Sequence, residues 1–156
     1  MALKGDRLTG SDLSTDISNF MNVTAEAGCF VTHKTAGSGA SMDDYNSVVE
    51  IPTGGVSGAK PAGLLLCDVV NIDLTRQHLN QYKDEVQVSG KVTLLRHGQV
   101  TTNWITSGQS PTAGSAAYFD TAGKLTPTLP SNGTQVGRFL SAKDADGYAK
   151  VEINIV

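Results

Sequence analysis

Apolar residues in this chain come in short bursts, separated by clusters of Gly, Ser, Thr and Pro. From residue 28 the bursts are GCFVTH (28–33), SVVEI (47–51), LLLCDVVNI (64–72), VQVSGKVTLLRH (86–97), QVTTNWI (99–105), SAAYF (115–119), VGRFLSA (136–142) and YAKVEINIV (148–156). Runs of that length, bounded by turn residues, predict strands. The last run alternates, with Ala149, Val151, Ile153 and Ile155 on one face and Tyr148, Lys150, Glu152 and Asn154 on the other. This is the period of a half-buried strand. The Asp-Gly pair in KDADG marks a hairpin to the run before it. LLLCDVVNI is nearly continuous instead, which predicts a strand buried on both faces. In the middle of the chain Val86, Val88, Val92 and Leu94 are predicted to share an inward face. Gly98 is predicted to turn the chain, and Val100, Thr102 and Trp104 to continue that face.

Two segments break the pattern. Leu13, Ile17, Phe20 and Met21 recur at helical spacing behind Ser11, yet Ile17, Asn19, Met21 and Val23 alternate as a strand would. Both readings stand, and residues 1–24 are read as an N-terminal arm ahead of a domain at 25–156. NIDLTRQHLNQYKDEV (71–86) is long, polar and free of Gly and Pro. It predicts a short helical or irregular insertion, capped by Asp73, with Leu74, His78, Leu79 and Tyr82 on one side. Its outer face carries Gln77, Asn80 and Gln81. The charges of Arg76, Lys83, Asp84 and Glu85 nearly cancel, so it has no basic face to hold phosphates. It either covers one end of the body or, through Arg76, Gln77, Gln81 and Tyr82, meets a protein partner.

A faint repeat runs through the chain. AEAGCFVTHKTAGSGA (25–40) and TAGSAAYFDTAGKLTP (112–127) each hold an Ala-Gly, a short strand and a Thr-Ala-Gly turn, and each precedes a Gly-led apolar strand. About nine strands without alternating helices predict a single all-β domain, a β-sandwich or jelly roll.

Composition sharpens this. Charged residues are only 17% of the chain, against a norm of about 25%, and hydroxyl residues replace them. The net charge of −3 and the scattered basic residues argue against nucleic acid as partner. No run reaches the ~20 apolar residues of a membrane span, and no export signal is visible. Cys29 and Cys67 read as two buried, unpaired thiols.

Candidate chemistry is sparse. GGVSGAKP (54–61) lacks the Ser or Thr that must follow the lysine of a phosphate loop. KDADGY has a DxDG fragment but no closing Glu of a calcium loop. Asp43 and Asp44 could touch a cation but read as a solvated acidic loop. His33, His78 and His97 have no metal-ligand spacing to one another or to Cys, and no G-x-S-x-G elbow occurs. Asn22 and Asn132 begin glycosylation-type triplets, read as coincidence. No catalytic, cofactor or metal residue is assigned.

VVNIDLTRQHLNQYKDEVQVSGKVTLLRHGQVTTNWI, the GKLTP segment and the ending VGRFLSAKDADGYAKVEINI resemble the capsid decoration, or cement, proteins of tailed bacteriophages. The resemblance spans most of 12–156 and implies a non-enzymatic protein on the outer face of a phage head. Its partners would be the major capsid protein and itself, as a homotrimer more than a homodimer, with no nucleic acid, membrane or cofactor. Assembly in the host cytoplasm and a place in the virion follow from the same likeness. Leu13, Ile17, Phe20 and Met21 of the arm and Arg76, Gln77, Gln81 and Tyr82 of the insertion are the expected contact residues. The competing reading is another virion β-module, such as a head-fibre base, a tail component or a glycan-binding domain in which Trp104 and Tyr118 stack on sugars.

Overall fold

A computed structural model describes residues 3–4, 14–34, 48–69 and 85–155. Among them there are twelve strands and no helix. In chain order these are β1 (Leu3–Lys4), β2 (Ser14–Met21), β3 (Ala25–Glu26), β4 (Phe30–His33), β5 (Val48–Glu50) and β6 (Lys60–Asp68). They continue with β7 (Glu85–Val86), β8 (Lys91–Thr102), β9 (Ala116–Phe119), β10 (Leu125–Thr126), β11 (Gly137–Phe139) and β12 (Ala149–Asn154). The all-β class is as expected, and ten of the strands form one mixed sheet. The 73–86 insertion lies outside the described residues up to residue 84.

The sheet curls into two rings. β8 pairs with β2, β2 with β5, β5 with β4, β4 with β6, and β6 returns to β8. The far half of β8 pairs with β12, then β11, β9 and β10 follow in turn. Ile105, just beyond β8, bridges in parallel to Leu125 of β10 and closes the second ring. β8 therefore serves both, and the two-stranded pair β3–β7 adds Ala25 and Val86 to the first core. A closed ring leaves no unpaired sheet edge to solvent.

Each ring has its own core because adjacent residues on a strand point to opposite faces. Met21, Val31, Val49, Leu65, Val92 and Leu94 fill the first. Their chain neighbours Phe30, Leu64 and Leu95 point outward and join the second core with Val100, Ala117, Phe119, Leu125, Phe139, Val151 and Ile153. The Phe30 and Phe119 rings stack at a centroid distance of 4.8 Å. The unbroken LLL run is thus buried on both sides at Leu64 and Leu65. The C-terminal hairpin also forms as expected. Asp144 Oδ1 accepts the backbone N–H of Asp146 and Tyr148, and Ala149, Val151 and Ile153 are buried.

Four expectations need correction. Gly98 makes no turn; it lies inside β8, opposite Ile153 of β12, where a strand glycine eases a bend as β8 passes between the rings. Val88 does not face inward but is 49% exposed. It sits in a turn closed by the Gly90 N–H on Gln87 O, so the inward phase restarts at Val92. Cys67 is exposed, because a register shift between Leu65 and Cys67 moves it off the core face. The continuous run begins at Lys60 and its strand ends at Asp68, since its partners on β4 and β8 set its length.

Candidate functional site

The N-terminal region resolves at 14–21 as a strand. Asp16 accepts the backbone N–H and the hydroxyl of Ser18, a local loop of bonds that competes with ladder pairing. The β2–β8 register shifts between Asp16 and Asn19, and Ile17 is turned to solvent, 54% exposed. Phe20 is half-buried, with the Lys91 ammonium 5.9 Å from its ring centroid. Met21 is buried in the first core, so as a partner contact it is corrected: no partner reaches it in this fold. Leu13, Arg76, Gln77, Gln81 and Tyr82 lie outside the described residues, so only Ile17 and Phe20 of the expected contacts are placed at the surface.

A second group was not foreseen. Asp16, His33 and Arg96 sit in phase with the inward Leu94 and Val31, at one end of the first ring. Burial acts to raise the Asp16 carboxyl, but hydrogen bonds from Ser18 and Asn19 and the charge of Arg96 hold it below its ordinary value. Burial lowers the His33 imidazole, as do Arg96 and Lys60, while Asp16 opposes them. The only sequence signal was the alternation continuing past Leu94 onto Arg96, and no spacing rule joins residues from three strands.

The outer face of the second ring is polar. The Arg138 guanidinium meets Glu152 at 2.6 Å, and the His97 ring nitrogen lies 3.2 Å from Asn154 Oδ1. Trp104 is half-buried, with the Lys124 ammonium 5.3 Å from its ring centroid, so one candidate sugar-stacking face is already occupied. Burial pushes the Cys29 thiol up to about 12; Trp104 opposes this, and Asp120 and Glu26 add to it. Such a thiol is inert as a nucleophile. Among the described residues no group of three or more His, Cys, Asp or Glu is placed to hold a metal ion. No helix among them is long and apolar enough to cross a membrane.

The described residues form an all-β body with polar outer surfaces. Residues 1–154 match the family model of structural cement proteins described by E217 gp24 and Pam3 gp6, and the chain belongs to that family. It is a tailed-phage capsid-associated protein with a structural, non-catalytic role, and its place is in the virion. A solved chain from the capsid of Myoviridae phage XM1 has a similar fold, with a TM-score of 0.60 and 12% identity, covering 98% of this chain and 91% of that one. No curated protein matches the sequence.

Proposed function

We propose that this protein decorates the outer surface of a phage head and stabilises it by bridging neighbouring copies of the major capsid protein. The family match over residues 1–154 carries this reading. The mechanism is adhesion: weak contacts made by one linked body act together through high effective concentration. A ligand that binds only the assembled shell raises its stability by mass action. We further propose that the copies act as homotrimers and that assembly takes place in the host cytoplasm. Neither nucleic acid nor membrane is a partner in this reading, which the net charge of −3 supports.

Residues 1–24 supply the N-terminal contact segment in this reading, with 14–21 built into the first ring as β2 and offering Ile17 and Phe20 to a neighbour. Leu13, Arg76, Gln77, Gln81 and Tyr82 complete the contact set. The two curled rings, packed together where Phe30, Leu64 and Leu95 of the first join the core of the second, support reading the body as a sandwich or jelly-roll-like unit. The test is to incubate the purified protein with expanded, undecorated shells of its own phage. Co-sedimentation and a higher shell melting temperature are expected; free protein and an unchanged shell would overturn the reading. A solution mass settles the trimer.

A further inference from the structure

The two rings match position for position. In the first, Phe30 and Val31 lie opposite Leu64 and Gly63, and Leu64 and Leu65 opposite Leu95 and Leu94. In the second, Ala116 and Ala117 lie opposite Arg138 and Gly137, and Arg138 and Phe139 opposite Glu152 and Val151. Thr32 and His33 pair with Glu50 and Val49, as Tyr118 and Phe119 pair with Thr126 and Leu125. The parallel contact of Met21 with Val49 returns as Ile105 with Leu125, and Ser14 with His97 returns as His97 with Asn154.

Hydrogen bonds outside the ladders repeat too. Gly28 N donates to Leu65 O and Gly114 N to Phe139 O, each at 2.7 Å; Asn22 N donates to Val49 O and Thr106 N to Leu125 O, each at 2.9 Å. The faint sequence repeat of 25–40 and 112–127 falls on β4 and β9, which hold equivalent places.

We infer that the chain is a tandem duplication of one five-stranded barrel, with β8 shared, and that its two ends are matched halves of a head-to-tail contact between copies that charge holds off. The barrels meet heterologously: the outer face of the first, Phe30, Leu64 and Leu95, shares a core with Val100, Phe119 and Ile153 of the second. The same operation would seat the outer face of the second barrel on the first barrel of the next copy. A repeated heterologous contact that does not close grows into an open fibre.

At both free ends charged, polar or smaller residues stand in these places. Phe30, Leu64 and Leu95 correspond to Ala116, Arg138 and Glu152; Val100, Phe119 and Ile153 correspond to Asp16, His33 and Arg96. The six apolar positions are buried, whereas none of the six counterparts is. Stacking would bury four formal charges in a contact shaped for apolar groups, and desolvation of buried ions outweighs their attraction unless geometry is excellent. Copies of this chain therefore associate through other surfaces.

The test uses two full-length variants. One carries Arg138→Leu and Glu152→Leu, and the other Asp16→Val, His33→Phe and Arg96→Ile. Each alone should sediment as the wild type does, because each retains one charged end. Mixed, they should form a heavier species, and a chain carrying all five changes should polymerise. If both variants melt cooperatively and the mixture shows only the starting species, the inference fails. Should the triple variant not fold, a chain carrying Asp16→Ala and Arg96→Leu, which also removes both charges of that end, takes its place in the mixture, with the same outcomes. The readout involves no shell, so it stands or falls separately from capsid binding.

Discussion

At Gly137 a Cβ would run into the Glu152 carbonyl oxygen, and at Gly123 into Cys29 Sγ and Phe30 O. In both places a backbone carbonyl oxygen stands in the way, so backbone has to move. Gly137→Ala is expected to cost about 3 kcal/mol, the upper range for overpacking, whereas Gly147→Ala, with a φ of 85° and no atom nearby, should cost about 1–2 kcal/mol. Urea unfolding of the two variants checks the order. The thiols should differ as sharply: Cys67 is expected to react promptly with a thiol reagent, and Cys29 only when the chain unfolds. His33 is held neutral below its ordinary range, so the folded state binds fewer protons than the unfolded one. Stability is then present above the unfolded imidazole value and falls as pH drops through it. His33→Gln should lose less melting temperature between pH 7 and 5 than the wild type, by a modest margin because the ring is exposed. Gly147 in its Asp-Gly pair and the buried Cys29 were readable in the sequence; Gly137, Gly123, Cys67 and His33 were not. A glycine that touches a distant strand looks the same as one in a turn, and Cys67 missed its expected core place because a register shift carries no residue signature.

Elements were more legible. Short runs bounded by Gly and Thr gave strands at β4, β5, β9, β11 and β12, since a period of two is visible over as few as four residues. Segment 14–21 stayed open between helix and strand because Leu13, Ile17 and Met21 satisfy one period while Ile17, Asn19 and Met21 satisfy the other. Pairing to both β5 and β8 decides it, and that contact joins residues far apart in sequence. The outcome alters what truncation means. Removing residues 1–22 takes away β2 and the buried Met21, and should abolish the melting transition rather than only weaken shell binding. Ile17→Asp is the informative change instead: an unaltered melting temperature with reduced co-sedimentation is expected if the exposed strand meets a neighbour, and unaltered co-sedimentation counts against it.

For the whole molecule, the all-β class was readable from the pattern, and the ring closure was not. Gly98 looked like a turn because a glycine between two apolar runs usually is one. Only the flanking pairs with β2 and β12 make it the midpoint of a single strand. The repeat was faint because the duplicated faces have opposite neighbours: Leu64 packs against protein where Arg138 meets water, so equal backbones carry unlike side chains.

With β8 completing two rings, the chain has no seam. A cut near residue 97 would leave each half short of a wall, and neither fragment would stand alone. Melting should be one all-or-none event by every probe, and a protease should wait for the entire body to open before it can nick this strand. On a particle that must survive outside a cell, a subunit that opens only all at once resists piecemeal attack.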